Sequence, residues 1–167
     1  MSKIRAIAMD VDGTLTDGGI YVSEDGEIMK RFYVRDGYAI KHFLPKMGII
    51  PIVITGRESK IVSRRCDELG IRYFIQGSTD KWCDLKTILN KLGISAEETA
   101  YIGDDINDID CMSRVAIKGC PADATKEVSA ISDYVANASG GAGAVREFIE
   151  WLGEINEKDL GFKWNDQ

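Results

Sequence analysis

Apolar runs alternate with helix-like periodicities along almost the whole chain. "IRAIAM" (4–9) has little polar interruption and reads as a strand buried on both faces. "IYVSEDGEIMKRFYV" (20–34) places two β-rich arms around Asp25-Gly26, which predicts a hairpin. Helical spacing follows over roughly Gly37 to Met47, and Pro45 is expected to kink that helix or stop it early. "GIIPIVIT" (48–55) is a second buried strand. Ile61, Val62, Cys66 and Leu69 share a face of a helix over 58–69, closed by Gly70. "IRYFIQ" (71–76) is a third strand, and Trp82, Leu85, Ile88, Leu89 and Leu92 line a helix over 80–92. "TAYIGD" (99–104), a short helix at 106–113, "VAIKG" (115–119), a helix near 124–131, a strand at 134–136 and a helix from Ala144 to Ile155 complete the series. This β-α-β-α rhythm predicts an α/β fold: a doubly wound, mostly parallel, Rossmann-like sheet with helices on both faces and a protruding β-hairpin. One core spans 1–156, hairpin 20–34 included, and a polar tail (157–167) follows, either frayed or docked on a neighbouring subunit.

In such sheets ligands sit beyond the carboxyl ends of the strands. Asp10-Val11-Asp12 follows the first strand, and Thr55-Gly56-Arg57 follows the second. "GSTDK", ending in Lys81, follows the third. Gly103-Asp104-Asp105 follows the fourth, with Asn107 and Asp108 just behind. Solvated acidic turns are the plain alternative, but chance would scatter such residues over both ends of the sheet. Crowded carboxylates repel and raise one another's pKa, and a hard cation such as Mg²⁺ relieves this. Beside such a cation one carboxylate can attack phosphorus, while a second acts as acid and then base. A lysine and a threonine can hold the remaining phosphoryl oxygens.

Composition narrows the classes. The net charge of −6 argues against wholesale binding of nucleic acid. No apolar run approaches membrane-spanning length, and the first residues lack a signal-peptide pattern, so a cytoplasmic protein is expected. Cys66, Cys83, Cys111 and Cys120 form no metal-ligand spacing and read as core thiols. The single histidine, His42, sits on a helix as a surface or boundary residue, which disfavours histidine-based triads. "CDELGIR" (66–72) matches the C-x5-R spacing of cysteine phosphatases. Yet its cysteine lies towards a helix end beside Asp67 and Glu68, the wrong field for a thiolate and a phosphate.

"DVDGTLTDG", "ITGR", "QGSTDK" and "YIGDDINDIDCM" resemble, in order and spacing, the four motifs of the haloacid dehalogenase superfamily of phosphatases. The resemblance implies that Asp10 is nucleophile and metal ligand. It implies that Asp12 is general acid/base, with its carbonyl on the metal. Thr55 and Lys81 become the phosphate-binding pair, Asp104 the second metal carboxylate, Asp105 and Asp108 supporting acids, and Mg²⁺ the cofactor. "TDGGIYVSEDGEIMKRFYVRDGYAIK" and "GGAGAVREFIE" resemble a branch acting on 3-deoxy-D-manno-octulosonate 8-phosphate, with relatives acting on nine-carbon sialic-acid-type 9-phosphates. That branch implies a homotetramer in which a neighbouring subunit acts as lid. Independently, hairpin plus helix fill the stretch between Asp10 and Thr55, and helix plus strand fill that between Thr55 and Lys81, which leaves no room for a cap domain.

Arg35, Asp36 and Arg57, with Gly37 and Gly56 beside them, are candidates for gripping a sugar acid; solvated ion pairs are the alternative. Arg64 and Arg65 read as solvent-facing. Gly140, Gly141 and Gly143 suggest a flexible loop over the site, through which Arg146 reaches substrate, or else plain helix-entry punctuation. Asp17 reads as part of the turn that launches the hairpin. Two other functions remain open on the sequence. A receiver domain also pairs an acidic Mg²⁺ pocket with a phosphorylated Asp, a Thr and a Lys, but "QGSTDK" offers no lone Asp at the third strand end. A non-catalytic oligomerisation module would normally have lost one of the carboxylates.

Overall fold

The computed structural model describes residues 3–156; the polar tail expected at 157–167 lies outside them. Six strands form one sheet: β1 (Ala6–Met9), β4 (Ile50–Ile54), β5 (Tyr73–Ile75), β6 (Thr99–Ile102), β7 (Ile117–Cys120) and β8 (Tyr134–Val135). Their order is β5-β4-β1-β6-β7-β8, and every pairing is parallel. β2 (Tyr21–Ser23) and β3 (Gly26–Met29) make a separate antiparallel hairpin. The helices are α1 (Val34–Met47), α2 (Lys60–Leu69), α3 (Lys81–Leu92), α4 (Ile109–Met112), α5 (Lys126–Ile131) and α6 (Ala144–Ile155).

The two-residue period of β1 explains why the sheet is covered on both sides. Ile7 and Met9 pack with Ile40, Phe43 and Leu44 of α1, Val62 and Cys66 of α2, and Phe148 and Leu152 of α6. Ala6 and Ala8 face the opposite layer, with Leu85 and Leu89 of α3, Cys111 and Met112 of α4, and Val128 of α5. Burying each such aliphatic or aromatic side chain contributes roughly 1.5–3 kcal/mol. Strand order reverses at β1, since the chain moves outward to β4 and β5 on one side and to β6, β7 and β8 on the other. The crevice at that reversal lies between the ends of β1 and β6, where Asp10 and Asp104 emerge. Among the described residues no cap domain interrupts the order of elements.

Several local expectations need correction. Pro45 does not stop α1, which runs on to Met47 and ends at Gly48 in the left-handed conformation (φ 70°). Helix α1 also starts three residues earlier than its apolar spacing suggests, so Arg35, Asp36 and Gly37 form its first turn. The hairpin turns at Glu24-Asp25, with Gly26 (φ 114°) opening the return strand, and its arms are shorter than 20–34. An isolated bridge between Thr16 and Phe32 ties its base to the loop after β1. Cys66, Cys111 and Cys120 are buried, but Cys83 is exposed. Burial and the neighbouring Asp67 push the Cys66 thiol up to about 11, the opposite of what a thiolate nucleophile needs.

Candidate active site

Lys81 opens α3, whose amino end is capped by Asp80 accepting from the Cys83 amide (2.9 Å). This cap aims a buried lysine into the crevice, 2.9 Å from Asp10 Oδ1 and 2.7 Å from Asp108 Oδ1. Asp108 is fully buried. It also accepts from the Tyr101 hydroxyl (2.7 Å) and from the backbone amides of Asp104 (3.1 Å) and Asp105 (3.4 Å). Its carboxylate thereby orients Lys81 and holds the turn carrying Asp104. Thr14 donates to Asp104 Oδ1 at 2.7 Å and joins the turn after β1 to the turn after β6. Gly13 (φ 93°) is required at that crossing: a Cβ there would lie 2.1 Å from Asp104 Oδ2.

One oxygen from each of Asp10, Asp104 and Asp108 lies within 4.8 Å of the others. Burial, with the Asp108 charge adding to it, pushes the Asp10 carboxyl up to about 7, although Lys81 pulls the other way. Asp104 is pushed up to about 6, mainly by burial, with the Thr14 hydrogen bond opposing. Carboxylates held this close, with too little positive charge to match, fit a divalent cation bound through oxygen. The Gly13 gap, which keeps Asp104 Oδ2 clear, fits the same group. Of the two supporting acids, Asp108 belongs to this cluster. Asp105 is exposed and caps the short turn at Ile106 (2.7 Å).

Asp12 points elsewhere. Its Oδ1 is bound by Lys30 Nζ, and Arg57 Nε lies 3.9 Å from Oδ2. Lys30 also reaches Glu27 Oε1 at 3.0 Å, and Glu27 accepts from the Ser59 hydroxyl. Burial alone would lower the Lys30 pKa; its hydrogen bonds to Asp12 and Glu27 more than offset that, and the net shift is upward. Ser59 in turn caps α2, accepting from Ile61 (3.2 Å) and Val62 (3.3 Å). Thr55 is buried at the end of β4, where its carbonyl accepts from Ser78 (3.1 Å) and its hydroxyl from Arg57 (3.5 Å). Gly56 and Arg57 are exposed on the same turn. Lys30, Glu27, Ser59, Thr14 and Tyr101 are absent from the candidates chosen on sequence. Only Ser59, a hydroxyl just before a helical pattern, carried a local signal.

The remaining candidates divide. Asp36 is buried and serves α6 from a distance: its Oδ1 accepts the Arg146 amide in the first turn of α6 (2.7 Å). Gly37 makes room for Arg65, since a Cβ would meet that guanidinium at 2.3 Å. Arg65 is therefore not solvent-facing; it covers the Phe32 ring at 5.5 Å. Asp36 Oδ2 and Arg65 Nε are buried without a protein partner, and both residues line a cavity of about 10 Å³, room for one water. Arg35 is exposed, beside Arg146 in a cleft at the start of α6. Arg146 packs over Phe43 (4.4 Å) and binds Glu150 (2.6 Å). Gly140 and Gly141 form no free flap. Gly141 donates to the Thr14 carbonyl (3.1 Å) and Gly140 to Asp123 (2.9 Å). A Cβ on Gly140 would sit 1.8 Å from the Gly13 carbonyl oxygen. Asp17 shapes the turn before the hairpin, accepting from the Gly19 amide and the Tyr21 hydroxyl, both at 3.1 Å.

A parallel sheet with acidic turns at its order reversal, and a buried lysine between two of the carboxylates, matches the hydrolase family named from the motifs. The family pattern described as haloacid dehalogenase-like hydrolase matches residues 73–149, and the chain belongs to that family. Over 150 residues it is 43% identical to the 3-deoxy-D-manno-octulosonate 8-phosphate phosphatase of Escherichia coli, covering 90% of this chain and 79% of the relative. Two solved phosphatases of that name superpose closely. The cobalt-bound one from Haemophilus influenzae has a TM-score of 0.89 and 37% identity, covering 93% of this chain and 90% of its own. The one from Moraxella catarrhalis, in complex with magnesium, phosphate and KDO, has a TM-score of 0.88 and 41% identity, covering 92% and 88%. The chain is an enzyme, a phosphoric monoester hydrolase.

Proposed function

We propose that this enzyme removes the terminal phosphate of a phosphorylated sugar acid, 3-deoxy-D-manno-octulosonate 8-phosphate, through a phosphoaspartate on Asp10. The observation that carries this reading is the placement of Asp10 beside Lys81 and opposite Asp104 in the crevice at the sheet's order reversal. The named substrate of the relatives supports the choice of sugar acid. An Asp10 carboxylate oxygen attacks phosphorus while the bond from phosphorus to the sugar oxygen breaks, and Asp12 gives that oxygen its proton. Asp12 then takes a proton from water as the water oxygen attacks the phosphoaspartate, which frees inorganic phosphate and restores Asp10. Lys81 and Thr55 hold phosphoryl oxygens, and Arg57 at the rim faces the sugar acid. Asp10 and Asp104 carboxylates and the Asp12 carbonyl would hold Mg²⁺, with Asp108 behind them. The cation would supply charge neutralisation, allowing an anionic nucleophile to approach an anionic phosphate. The test is kcat/KM across a panel of sugar phosphates that includes the eight-carbon and nine-carbon acids. Preference for a nine-carbon acid or a simple hexose phosphate would overturn the substrate assignment.

The raised carboxyls make cation binding pH-dependent. Below their pKa values of about 7 and 6, Asp10 and Asp104 carry protons that the cation must displace. The Mg²⁺ dissociation constant, measured by calorimetry, is expected to rise roughly tenfold or more between about pH 8 and pH 6. An affinity independent of pH would contradict the cluster as the cation site.

The hairpin exposes Val22 (59%) and Ile28 (58%), together with Ile20 and Met29. An apolar edge strand left bare invites pairing with another copy. We place the hairpin in a homotetramer interface that closes the site against water, in the cytoplasm, where four free thiols are at ease. Ile28→Asp should split the assembly in analytical ultracentrifugation and lower activity; a wild-type chain that sediments as a fully active monomer would refute the interface.

A further inference from the structure

The hairpin sends one side chain inward. Lys30 follows β3, and its side chain is 1% exposed, although an unpaired ammonium is costly to bury. It is held there by two carboxylates, Asp12 and Glu27. Glu27 is fixed in turn by the hydroxyl of Ser59, which caps α2, while the Ser59 amide donates to Gln76 Oε1 at 2.8 Å. The bridge between Thr16 and Phe32 pins the same hairpin base to the turn that carries Asp12. Asp12 is thus gripped through one oxygen by a rigidly seated lysine, and its other oxygen faces Arg57.

We propose that Lys30, seated by Glu27 and Ser59, is a positioning residue that fixes the Asp12 carboxyl in line for its proton transfers. The proposal rests on reading Asp12 as the general acid and base. A carboxyl that must meet the leaving oxygen and then a water along one line needs a fixed orientation, and misplacement of about 1 Å can cost as much as 10²-fold in rate. The turn after β1 supplies no such restraint: among the described residues, the ion partners of Asp12 are Lys30, from the hairpin, and Arg57, from the turn after β4. In a family member without a cap domain, the hairpin thereby supplies the support for the proton donor as well as an outer surface.

The test exploits leaving groups. An alkoxide leaving from a sugar phosphate needs a proton, whereas a nitrophenolate does not. Lys30→Met is expected to lower kcat on the sugar-acid phosphate about 10²-fold, with KM changed by less than about 3-fold. With p-nitrophenyl phosphate the first-turnover burst of nitrophenolate should persist within about 3-fold, followed by slow turnover because water activation also uses Asp12. Lys30→Arg should recover much of the loss. Asp12→Asn, run in parallel, should give the same split between substrates. For Lys30→Met, a loss of the nitrophenolate burst as large as the loss of sugar-phosphate turnover, with the burst kept in Asp12→Asn, overturns the proposal alone. Loss of the split in Asp12→Asn itself overturns the reading of Asp12 and the proposal with it. Should Lys30→Met prove unfolded by circular dichroism, Glu27→Gln keeps the lysine but loosens its seat. A smaller loss of sugar-phosphate turnover with the nitrophenolate burst intact supports the proposal, and no loss, or an equal loss of the burst, overturns it.

Discussion

Asp10→Asn is expected to lower kcat about 10⁴- to 10⁶-fold, the scale seen when a covalent nucleophile is removed. The fold should survive, and under one condition should gain. Asp10 has its pKa raised to about 7 in the folded protein, because burial and Asp108 outweigh Lys81. An acid with a raised folded pKa destabilises the fold once pH exceeds the unfolded value. That penalty grows until the folded group ionises. Without metal, Asn at this position should therefore melt at or above the wild type near pH 8, and the gap should narrow towards pH 5, closing only below the unfolded carboxyl's own pKa. Chelated protein in a thermal scan at the two pH values checks the stability half. A single-turnover experiment with ³²P-labelled substrate checks the chemical half, since no phosphoprotein should form. Turnover within tenfold of wild type would remove Asp10 as nucleophile.

Lys81→Met strikes the same cluster from the opposite side. Lys81 is the cation shared by Asp10 and Asp108, both buried. Breaking a buried pair leaves uncompensated charge and costs about 3–5 kcal/mol. The cost should be largest near pH 8, where the wild-type Asp10 is ionised and benefits from the lysine, and smaller below its pKa of about 7. Added Mg²⁺ should recover part of the stability, because a cation at Asp10 and Asp104 replaces some of the lost charge, but not the catalysis. On the proposed role of Lys81 as a donor to phosphoryl oxygens, its loss should lower kcat about 10²- to 10³-fold. Urea melts at both pH values, with and without Mg²⁺, separate these effects. A pH-independent loss of stability would mean that the pairing of Lys81 with Asp10 contributes little to the fold.

What the sequence made legible is which polar side chains each strand end carries. Asp10, Thr55, Lys81 and Asp104 are read from short runs because a turn after a buried strand is a local pattern, and the parallel sheet then brings the turns together. Lys30 escaped because its partner lies 18 positions away and nothing nearby distinguishes a buried lysine from a surface one. Thr14 escaped for the same reason, with its partner 90 positions away. In "RDG" the contacts that matter to the fold reach distant segments, which no short run reveals. These residues open α1, where Asp36 serves the start of α6 and Gly37 admits Arg65. The apolar periodicity was diluted over that first turn, so the helix began later on paper. Pro45 misled in the other direction, since a proline in the final turn need not end a helix whose later residues are already in place.

The close seating of Gly140 and Gly141 on the turn after β1 sets an order of assembly during synthesis. The ribosome delivers the turn carrying Asp10 before the backbone that braces it, which comes roughly 130 positions later. The apolar face of α1, Ile40, Phe43 and Leu44, likewise waits for Phe148 and Leu152 of α6. A nascent chain halted before residue 140 would carry Asp10, Asp12, Asp104 and Asp108 and still lack both the brace and the covering helix. Such a fragment would leave the apolar face of α1 uncovered and the turn after β1 without its partner backbone.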